Sequence, residues 1–283
     1  MLNRASRVWA ILLVLALCLS VLALGASAAG GPKSDAGTGA QLPQRTDAAP
    51  QAPLADFSEG FEDITLLAGL GWANQNNSSP LGSTGWFQGN DTVFPAQAGS
   101  PTSYLGANYN NTSGTGTISN WMMTPAVTLS AGDTFRFWTS TAAGSIWPDR
   151  LELRMSLNGA STNVGATATS VGDFTTVLAE VNPTLAAGGY PEVWTEYVVT
   201  LTAAQVPAPT LGRFAFRYFV TDGGPSGANS NYIGIDTVSY TAAAPTAVTL
   251  STLDAQANTT LLPLAALALL VTGAALVLRR RIA

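Results

Sequence analysis

The sequence contains no histidine, and only 10% of its 283 residues are charged. Without an imidazole, the chain has no serine or cysteine nucleophile activated by histidine and no zinc site of the HExxH kind. The one cysteine, Cys18, lies in an apolar run near the N-terminus. If this run is removed on export, the mature chain holds no thiol and no disulfide, so its stability comes from the core or from a bound ion.

The first 28 residues have the pattern of an export signal. Arg4 and Arg7 precede an apolar run from Val8 to Leu24, and small residues follow at positions 26–28, where a signal peptidase would cut. The sequence therefore predicts a signal peptide at 1–28 and a protein that leaves the cytoplasm.

A second apolar run, residues 261–278, is followed directly by three arginines. As a helix rising about 1.5 Å per residue it would be roughly 27 Å long, close to the hydrocarbon thickness of a bilayer. The arginine-rich end, 279–283, would stay in the cytoplasm and everything before 261 would lie outside. We predict a C-terminal transmembrane anchor. A sorting enzyme that cuts the tail is an open alternative, because the run has no LPXTG or PEP motif.

Two segments of mostly small and polar residues join these ends to the central region. Residues 29–53 predict a disordered spacer, and residues 242–260 predict a linker. All 17 acidic residues but only seven of the 12 basic residues lie between the export signal and the arginine tail. The exported part is therefore more acidic than the formal net charge of −5 indicates, which argues against nucleic acid as a partner.

The central region, residues 54–241, has the size of one domain with a single core. Its apolar runs are short, rich in Thr, Val and aromatic residues, and separated by Gly, Asn, Ser and Pro. This pattern predicts an all-β fold, and so many short strands favour an antiparallel jelly-roll β-sandwich. We expect strands near 54–58, 71–76, 85–89, 103–108, 117–129, 133–141, 150–157, 174–181, 193–201, 212–221 and 231–240.

Three of these strands make specific predictions about faces. In the strand near 212–221, Arg213 and Arg217 alternate with aromatic residues, which predicts one core face and one solvent-facing side. The strand near 150–157 alternates in the same way, so its Glu152 and Arg154 are expected in a solvated ladder. In the last strand the apolar residues change sides at Asp236, which predicts a bulge there.

The loop from Gly223 to Asn231 connects the last two strands. It is too long for a tight turn, and it consists of glycines and small polar residues. Loops of this kind on a rigid scaffold often bind ligands, so we expect it to be exposed, mobile and suited to binding. A variable surface loop without a ligand is the alternative.

Five segments of the central region follow one another along the chain: FEDI at 61–64, GWFQGN at 85–90, SNWMMTPAVTLSAGDTFRFWT at 119–139, DRLELRMSLNG at 149–159 and GIDTVSY at 234–240. In their order and spacing, these segments resemble the choice-of-anchor J domain, a relative of the cleaved adhesin domain of gingipains. The resemblance covers nearly all of the central region. It implies a jelly-roll, galactose-binding-like sandwich on bacterial surface or exported proteins, often adhesive and without known enzymatic activity.

Three acidic residues are candidates for a structural calcium ion. Glu62 and Asp63 follow an early aromatic residue, and Asp236 lies at the predicted bulge of the last strand. First and last strands of a jelly roll commonly run side by side, which would bring these carboxylates together. Calcium takes six to eight oxygen ligands, so backbone carbonyls and water would complete the shell. The alternative is that the carboxylates accept hydrogen bonds from loop amides and bind no ion.

The candidate ligand-binding residues are Trp86 and Trp147, whose rings could stack on sugars, and Asn229 and Asn231 in the long loop. Together with export and anchoring, they favour an adhesive or carbohydrate-binding surface module with a glycan or surface-protein ligand and no catalytic activity. A purely structural envelope protein is one alternative. A glycoside hydrolase is another, since that chemistry needs only two carboxylates, but no such pair is evident.

Overall fold

The computed structural model describes Lys33, residues 41–44 and residues 52–244. The predicted export signal, most of the spacer, the linker from residue 245 onward, the apolar run at 261–278 and the arginine tail lie outside these residues. Among the described residues, no helix has the length and apolar character needed to cross a bilayer.

The described domain is all-β, as the sequence predicts, with short 3₁₀ turns at Ile64–Leu66 and Tyr109–Asn111. Each of the eleven expected strands overlaps an observed one. The expected strand at 117–129 is divided in two at Pro125, which has no N–H to donate to a ladder. The observed strands are β1 (Phe57–Glu59), β2 (Ala73–Asn76), β3 (Ser79–Leu81), β4 (Phe87–Gln88), β5 (Leu105–Asn108), β6 (Thr112–Met123), β7 (Val127–Leu129), β8 (Thr134–Thr141), β9 (Leu151–Ser156), β10 (Thr176–Val181), β11 (Thr195–Thr200), β12 (Thr210–Gly223) and β13 (Tyr232–Thr241).

The strands form two antiparallel sheets. In the first sheet the order is β11-β8-β13-β5-β4, with β1 also paired to β13. In the second sheet the order is β10-β9-β12-β6-β2, with β3 on β6 and β7 on β12. Because neighbouring strands are mostly distant in sequence, the chain crosses repeatedly between the sheets, and the loops collect at the ends of the strands.

The main core lies between the two sheets. Phe135 and Phe137 on β8 meet Phe214 and Phe216 on β12, with ring centroids 4.3 Å apart for Phe135–Phe214 and 5.1 Å apart for Phe137–Phe216. All four side chains are 0% exposed. Buried aromatic rings in such contacts contribute more than their area alone, so the sandwich is held by rings that alternate along each strand.

The prediction that Arg213 and Arg217 face solvent is wrong. They are 3% and 2% exposed, because loops cover the outer face of the second sheet. The Arg213 guanidinium donates to the carbonyl oxygens of Gly71 (2.9 Å), Ala160 (3.1 Å) and Thr124. Strand periodicity shows which side chains share a face, but it does not show whether a loop covers that face.

The solvated ladder expected for Glu152 and Arg154 is also wrong. Glu152 is 1% exposed and pairs with Arg154 at 2.5 Å, Arg150 at 2.6 Å and Arg217 at 3.3 Å. The connection between β9 and β10 lies over this cluster and places Phe174 against Trp121 in a second apolar cluster. The outer face of the second sheet is therefore a second buried layer, with a network of charges inside it.

The bulge predicted in the last strand is confirmed. The register of β13 against β8 shifts between Asp236 and Ser239, and Thr237 has φ of 47°. Beyond the bulge, β13 pairs with β1, from Glu59↔Val238 to Phe57↔Tyr240. The expectation that the first and last strands lie side by side is therefore also met.

Candidate functional site

One end of the sandwich brings two long connections together. The loop 224–231 joins β12 to β13, and residues 142–150 join β8 to β9. Ser230 N–H donates to the Pro148 carbonyl at 2.9 Å, and Asn231 N–H donates to Asp149 Oδ1 at 2.8 Å. Asn231 Nδ2 donates to Ser145 Oγ at 2.9 Å. The two connections therefore form one hydrogen-bonded unit, which we call the loop end.

Backbone geometry gives the 224–231 loop its shape. Gly224 has φ of 98°, which glycine adopts at no steric cost. At Gly227, an added Cβ would lie 2.3 Å from the carbonyl oxygens of Asp222 and Gly223, so a side chain there would displace the backbone. Ser226 N–H donates to the Gly114 carbonyl at 3.0 Å and ties the loop to β6. The loop folds back on itself, and several of its carbonyl oxygens point inward.

Three of these carbonyl oxygens converge on one cation. The ammonium of Lys33 donates to the carbonyl oxygens of Gly224 at 2.5 Å, Gly227 at 2.9 Å and Asn229 at 2.9 Å. The rings of Tyr109 and Trp147 lie beside it, with centroids 5.5 and 5.6 Å from Nζ. We call this arrangement of three carbonyl oxygens and two rings the ammonium cage. An ammonium has three N–H donors, and each of them finds an acceptor here.

Negative charge lies behind the cage. Burial lowers the pKa of Lys33 to about 8, while the charges of Asp149 and Asp222 act in the opposite direction. Asp149 is 1% exposed and accepts hydrogen bonds from Tyr218 Oη (2.5 Å), Thr141 Oγ1 (2.8 Å) and the Asn231 amide. Burial raises the pKa of Asp149, and these donors oppose that shift. The carboxylate thus holds the loop end together and adds a negative potential beneath the cation.

Three of the four predicted ligand-binding residues lie at the loop end. Trp147 supplies one ring of the cage, Asn229 supplies a carbonyl oxygen, and Asn231 fixes the loop to Asp149 and Ser145. Trp86 lies elsewhere, at 0% exposure within the main core, so its ring is not at the surface. The expected exposure of the loop holds only in part, since Gly223, Gly224, Gly227, Ser230 and Asn231 are buried.

The predicted calcium ligands lie at a different place, beside β1 and the bulge. Asp236 is 0% exposed and accepts from the amides of Gln97 (2.8 Å), Ala98 (3.1 Å) and Thr237 (2.6 Å). Burial raises the pKa of Asp236 to about 6 against these hydrogen bonds. Asp63 accepts from the amide and hydroxyl of Thr65 and caps the first 3₁₀ turn. The described residues contain no group of three or more acidic side chains arranged to hold a metal.

Glu62 nevertheless lies close to the loop that binds Asp236. A Cβ added at Gly99 would be 3.9 Å from Glu62 Oε1, and Gly99 follows the two residues whose amides donate to Asp236. Burial raises the pKa of Glu59, and the nearby charge of Glu62 adds to that shift. Glu62 and Asp236 therefore lie at the same loop, and the charge of Glu62 acts on Glu59. Asp63 instead caps the 3₁₀ turn Ile64–Leu66.

Three residues at the loop end, Lys33, Tyr109 and Asp149, are not indicated by any local sequence pattern. Composition alone could have drawn attention to Lys33, because eleven of the 12 basic residues are arginine and Lys33 is the only lysine in the chain. Its partners lie 191 to 196 residues away, so no local pattern indicates the contact. The carbonyl acceptors leave no trace in the sequence, because every residue has a backbone carbonyl.

An apolar cavity of about 270 Å³ lies beside Trp72 and Met122. Leu42 and Pro43 form part of its wall, and the Leu42 amide donates to the Trp86 carbonyl at 2.9 Å. The stretch 41–44, predicted to belong to a disordered spacer, therefore contacts the domain here. This cavity lies at a contact between the N-terminal segment and the sandwich, and it has few polar groups to orient a ligand.

The sequence matches no protein-family model and none of the curated proteins. Among solved structures, it is similar to the K1 cleaved adhesin domain of Lys-gingipain from Porphyromonas gingivalis W83, with 22% identity over 67% of this chain and 99% of that chain and a TM-score of 0.44. The K3 domain gives 19% identity, coverage of 66% and 98%, and a TM-score of 0.41. The family 11 carbohydrate-binding module of Clostridium thermocellum gives 14% identity, coverage of 68% and 98%, and a TM-score of 0.35.

Proposed function

We propose that the chain is an exported, surface-anchored binding module without catalytic activity, and that its ligand binds at the loop end. The observation that carries this proposal is the convergence of Trp147, Asn229 and Asn231 with Tyr109 at one end of the sandwich. Two aromatic rings beside inward-pointing carbonyl oxygens offer both apolar contact and oriented acceptors, which is the combination that ligand sites use.

The scaffold supports this location. Backbone hydrogen bonds tie the loop end to β6, from Ser226 to Gly114, and to β12, from Asn229 to Asp222, so its groups are held in place before a ligand arrives. Binding residues on loops at the end of a rigid sandwich are a common arrangement. The residue patterns at 1–28 and 261–283 support the proposed export and anchoring. We propose a glycan or a surface protein as the ligand, because an exported module meets these classes outside the cell.

The proposal predicts binding that depends on Trp147. Deleting residues 259–283 is expected to release the protein into the medium, where it can be tested on arrays of glycans and surface proteins. Trp147→Ala should weaken binding about tenfold or more, because a ring at the centre of a site carries a large share of the binding energy. Trp138→Ala is the control, since this half-buried ring lies on β8 opposite Glu196. Equal binding by wild type and Trp147→Ala would place the ligand elsewhere, and silence on every array would favour a structural envelope protein.

Calcium is the second part of the proposal, with Glu62 and Asp236 as the carboxylate ligands and with backbone carbonyl oxygens and water completing the shell. The support is that both residues lie at the same loop: an added Cβ at Gly99 would be 3.9 Å from Glu62 Oε1, and the amides of Gln97 and Ala98 just before it donate to Asp236. EDTA is then expected to lower the melting temperature, and calcium but not magnesium should restore it. Asp63→Asn should keep this response and Glu62→Gln should lose it. A melting curve of the wild type that is indifferent to EDTA would count against the site.

A further inference from the structure

We propose that the ammonium cage is a binding site for lysyl side chains, and that Lys33 fills it within the chain and thereby competes with an external lysyl ligand. This inference names a ligand class for the loop end and rests on the proposed function for that end being the ligand site. The cage itself is a property of the fold and holds whether or not the protein is an adhesin.

The cage fits an ammonium better than a metal ion. Its oxygen atoms lie 2.5, 2.9 and 2.9 Å from Nζ, which are hydrogen-bond distances. Calcium takes six to eight oxygen atoms at about 2.3 to 2.6 Å, and here three carbonyl oxygens share the site with two aromatic rings. Rings attract an ammonium through their negative faces, so Tyr109 and Trp147 favour an organic cation.

The cage also fits lysine better than arginine. Three carbonyl oxygens around one point match a compact ammonium with three donors, whereas a guanidinium spreads five donors over a planar fork. The five arginines that the structure describes have other partners: Arg136 pairs with Glu196, Arg213 binds carbonyl oxygens, and the rest surround Glu152. The only lysine of the chain is the residue found in the cage.

The cage does not depend on Lys33 for its shape. Asp149 holds Asn231, Gly114 holds Ser226, and the Gly224 amide donates to Ser230 Oγ at 2.9 Å, all without Lys33. If Lys33 leaves, the carbonyl oxygens of Gly227 and Asn229 lose its ammonium as a donor, while the Gly224 carbonyl still accepts from the Gly227 amide. Water or another cation then has to take the place of the ammonium. A site organised before binding is a good receptor, because little ordering entropy remains to be lost.

Lys33 therefore acts as a competitor within the chain. A ligand on the same chain competes at an effective concentration that is set by the connecting segment. An external lysine has to exceed that concentration or bind through additional contacts. Any event that removes Lys33 from the cage, such as cleavage of the chain between Lys33 and the sandwich, exposes the site.

The first experiment tests the cage in the intact protein. Labelling with ¹⁵N-lysine gives one side-chain signal in the full chain, since Lys33 is the only lysine. At pH 6.5 its Nζ hydrogens should exchange with water at least about tenfold more slowly than in Gly227→Ala, where the added Cβ displaces the loop. Gly85→Ala is the matched control, since an added Cβ meets nothing within 4 Å there. If the Nζ hydrogens of Lys33 exchanged as fast in the wild type as in Gly227→Ala, Lys33 would not occupy the cage in solution and the proposal would be wrong.

The second experiment tests the ligand class. The full chain carrying Lys33→Met is titrated at pH 6.5 with Nα-acetyl-lysine N-methylamide and with the norleucine analogue, which lacks the ammonium. The lysyl probe should bind about tenfold or more tightly than the norleucyl probe, and about tenfold more weakly to wild type than to Lys33→Met. Equal binding of both probes, equal binding to both proteins, or calcium binding by Lys33→Met in place of the lysyl probe would overturn the lysyl assignment. If the lysyl probe fails but binding on the arrays depends on Trp147, the proposed function stands and the lysyl ligand class is wrong. If the lysyl probe binds as expected but no array ligand is found, the cage is a lysyl site and the proposed glycan or surface-protein ligand is wrong.

Discussion

Replacing Glu152 by alanine is expected to destabilise the domain by about 3–5 kcal/mol, because the change leaves the buried Arg217 and the partly buried Arg154 without their counter-charge. The Arg217 guanidinium is 2% exposed and lies 3.3 Å from Glu152, and burial lowers its pKa to about 10 against the effect of Glu152. Its partners besides Glu152 are neutral: the rings of Phe219 and Trp121, the hydroxyl of Ser119 and the carbonyl oxygens of Ala168 and Ser170. For a domain of this size the melting temperature should fall by about 10 °C or more in calorimetry.

Glu196→Ala is the matched control for Glu152. Glu196 also pairs with an arginine, Arg136, at 3.3 Å, but the two side chains are 37% and 48% exposed. Exposed pairs of this kind contribute less than about 1 kcal/mol, so the control should melt close to wild type. If the two variants had the same melting temperature, the charges around Glu152 would be exposed to water in solution. That result would contradict the burial of the outer face of the second sheet.

Replacing Asp149 by asparagine is expected to cost about 2–4 kcal/mol and to loosen the loop end. The amide has one acceptor oxygen where the carboxylate has two, so its NH₂ group would face either the hydroxyl of Thr141 or the two donors Tyr218 and Asn231. Hydrogen bonds to a buried charge are about twice as strong as neutral ones, so their loss is large. Chemical denaturation measures the change in stability, and hydrogen exchange of residues 224–231 measures the loosening.

Asp222→Asn removes the other negative charge that acts on Lys33. Asp222 is exposed and has φ of 51°, a conformation that asparagine tolerates, so its substitution should change stability by less than about 0.5 kcal/mol. A loss of stability as large as that of Asp149→Asn would mean that the net charge near Lys33 matters and the hydrogen bonds of Asp149 do not.

Much of the sandwich follows from local patterns in the sequence. Strand positions were predicted because β-branched and aromatic residues alternate between Gly, Asn and Pro, and the inward residues of β8 and β12 follow from parity alone. The bulge at Asp236 was predicted because the apolar residues change sides there. At the loop end, Trp147, Asn229 and Asn231 were identified as an aromatic residue and two amides in connections between strands.

The remainder depends on contacts between distant parts of the chain. Arg217 and Glu152 have the sequence pattern of a solvent-facing strand side, and only the connection between β9 and β10 makes that side buried. Trp86 has the same composition signal as Trp147, but one ring lies in the core and the other at the loop end. The cage could not be predicted because its acceptors are backbone atoms and its donor, Lys33, lies about 190 residues before them.

The position of β13 within its sheet has a mechanical consequence. This strand leads to the C-terminal segment, and it is paired on both sides: with β8 and β5 before the bulge, and with β8 and β1 after it. A load applied at the C-terminus along the strand would act on two ladders at once. The hydrogen bonds of both ladders would then have to shear together, whereas an edge strand could peel away one bond at a time. The domain is therefore built to hold its fold while its C-terminal end is under tension.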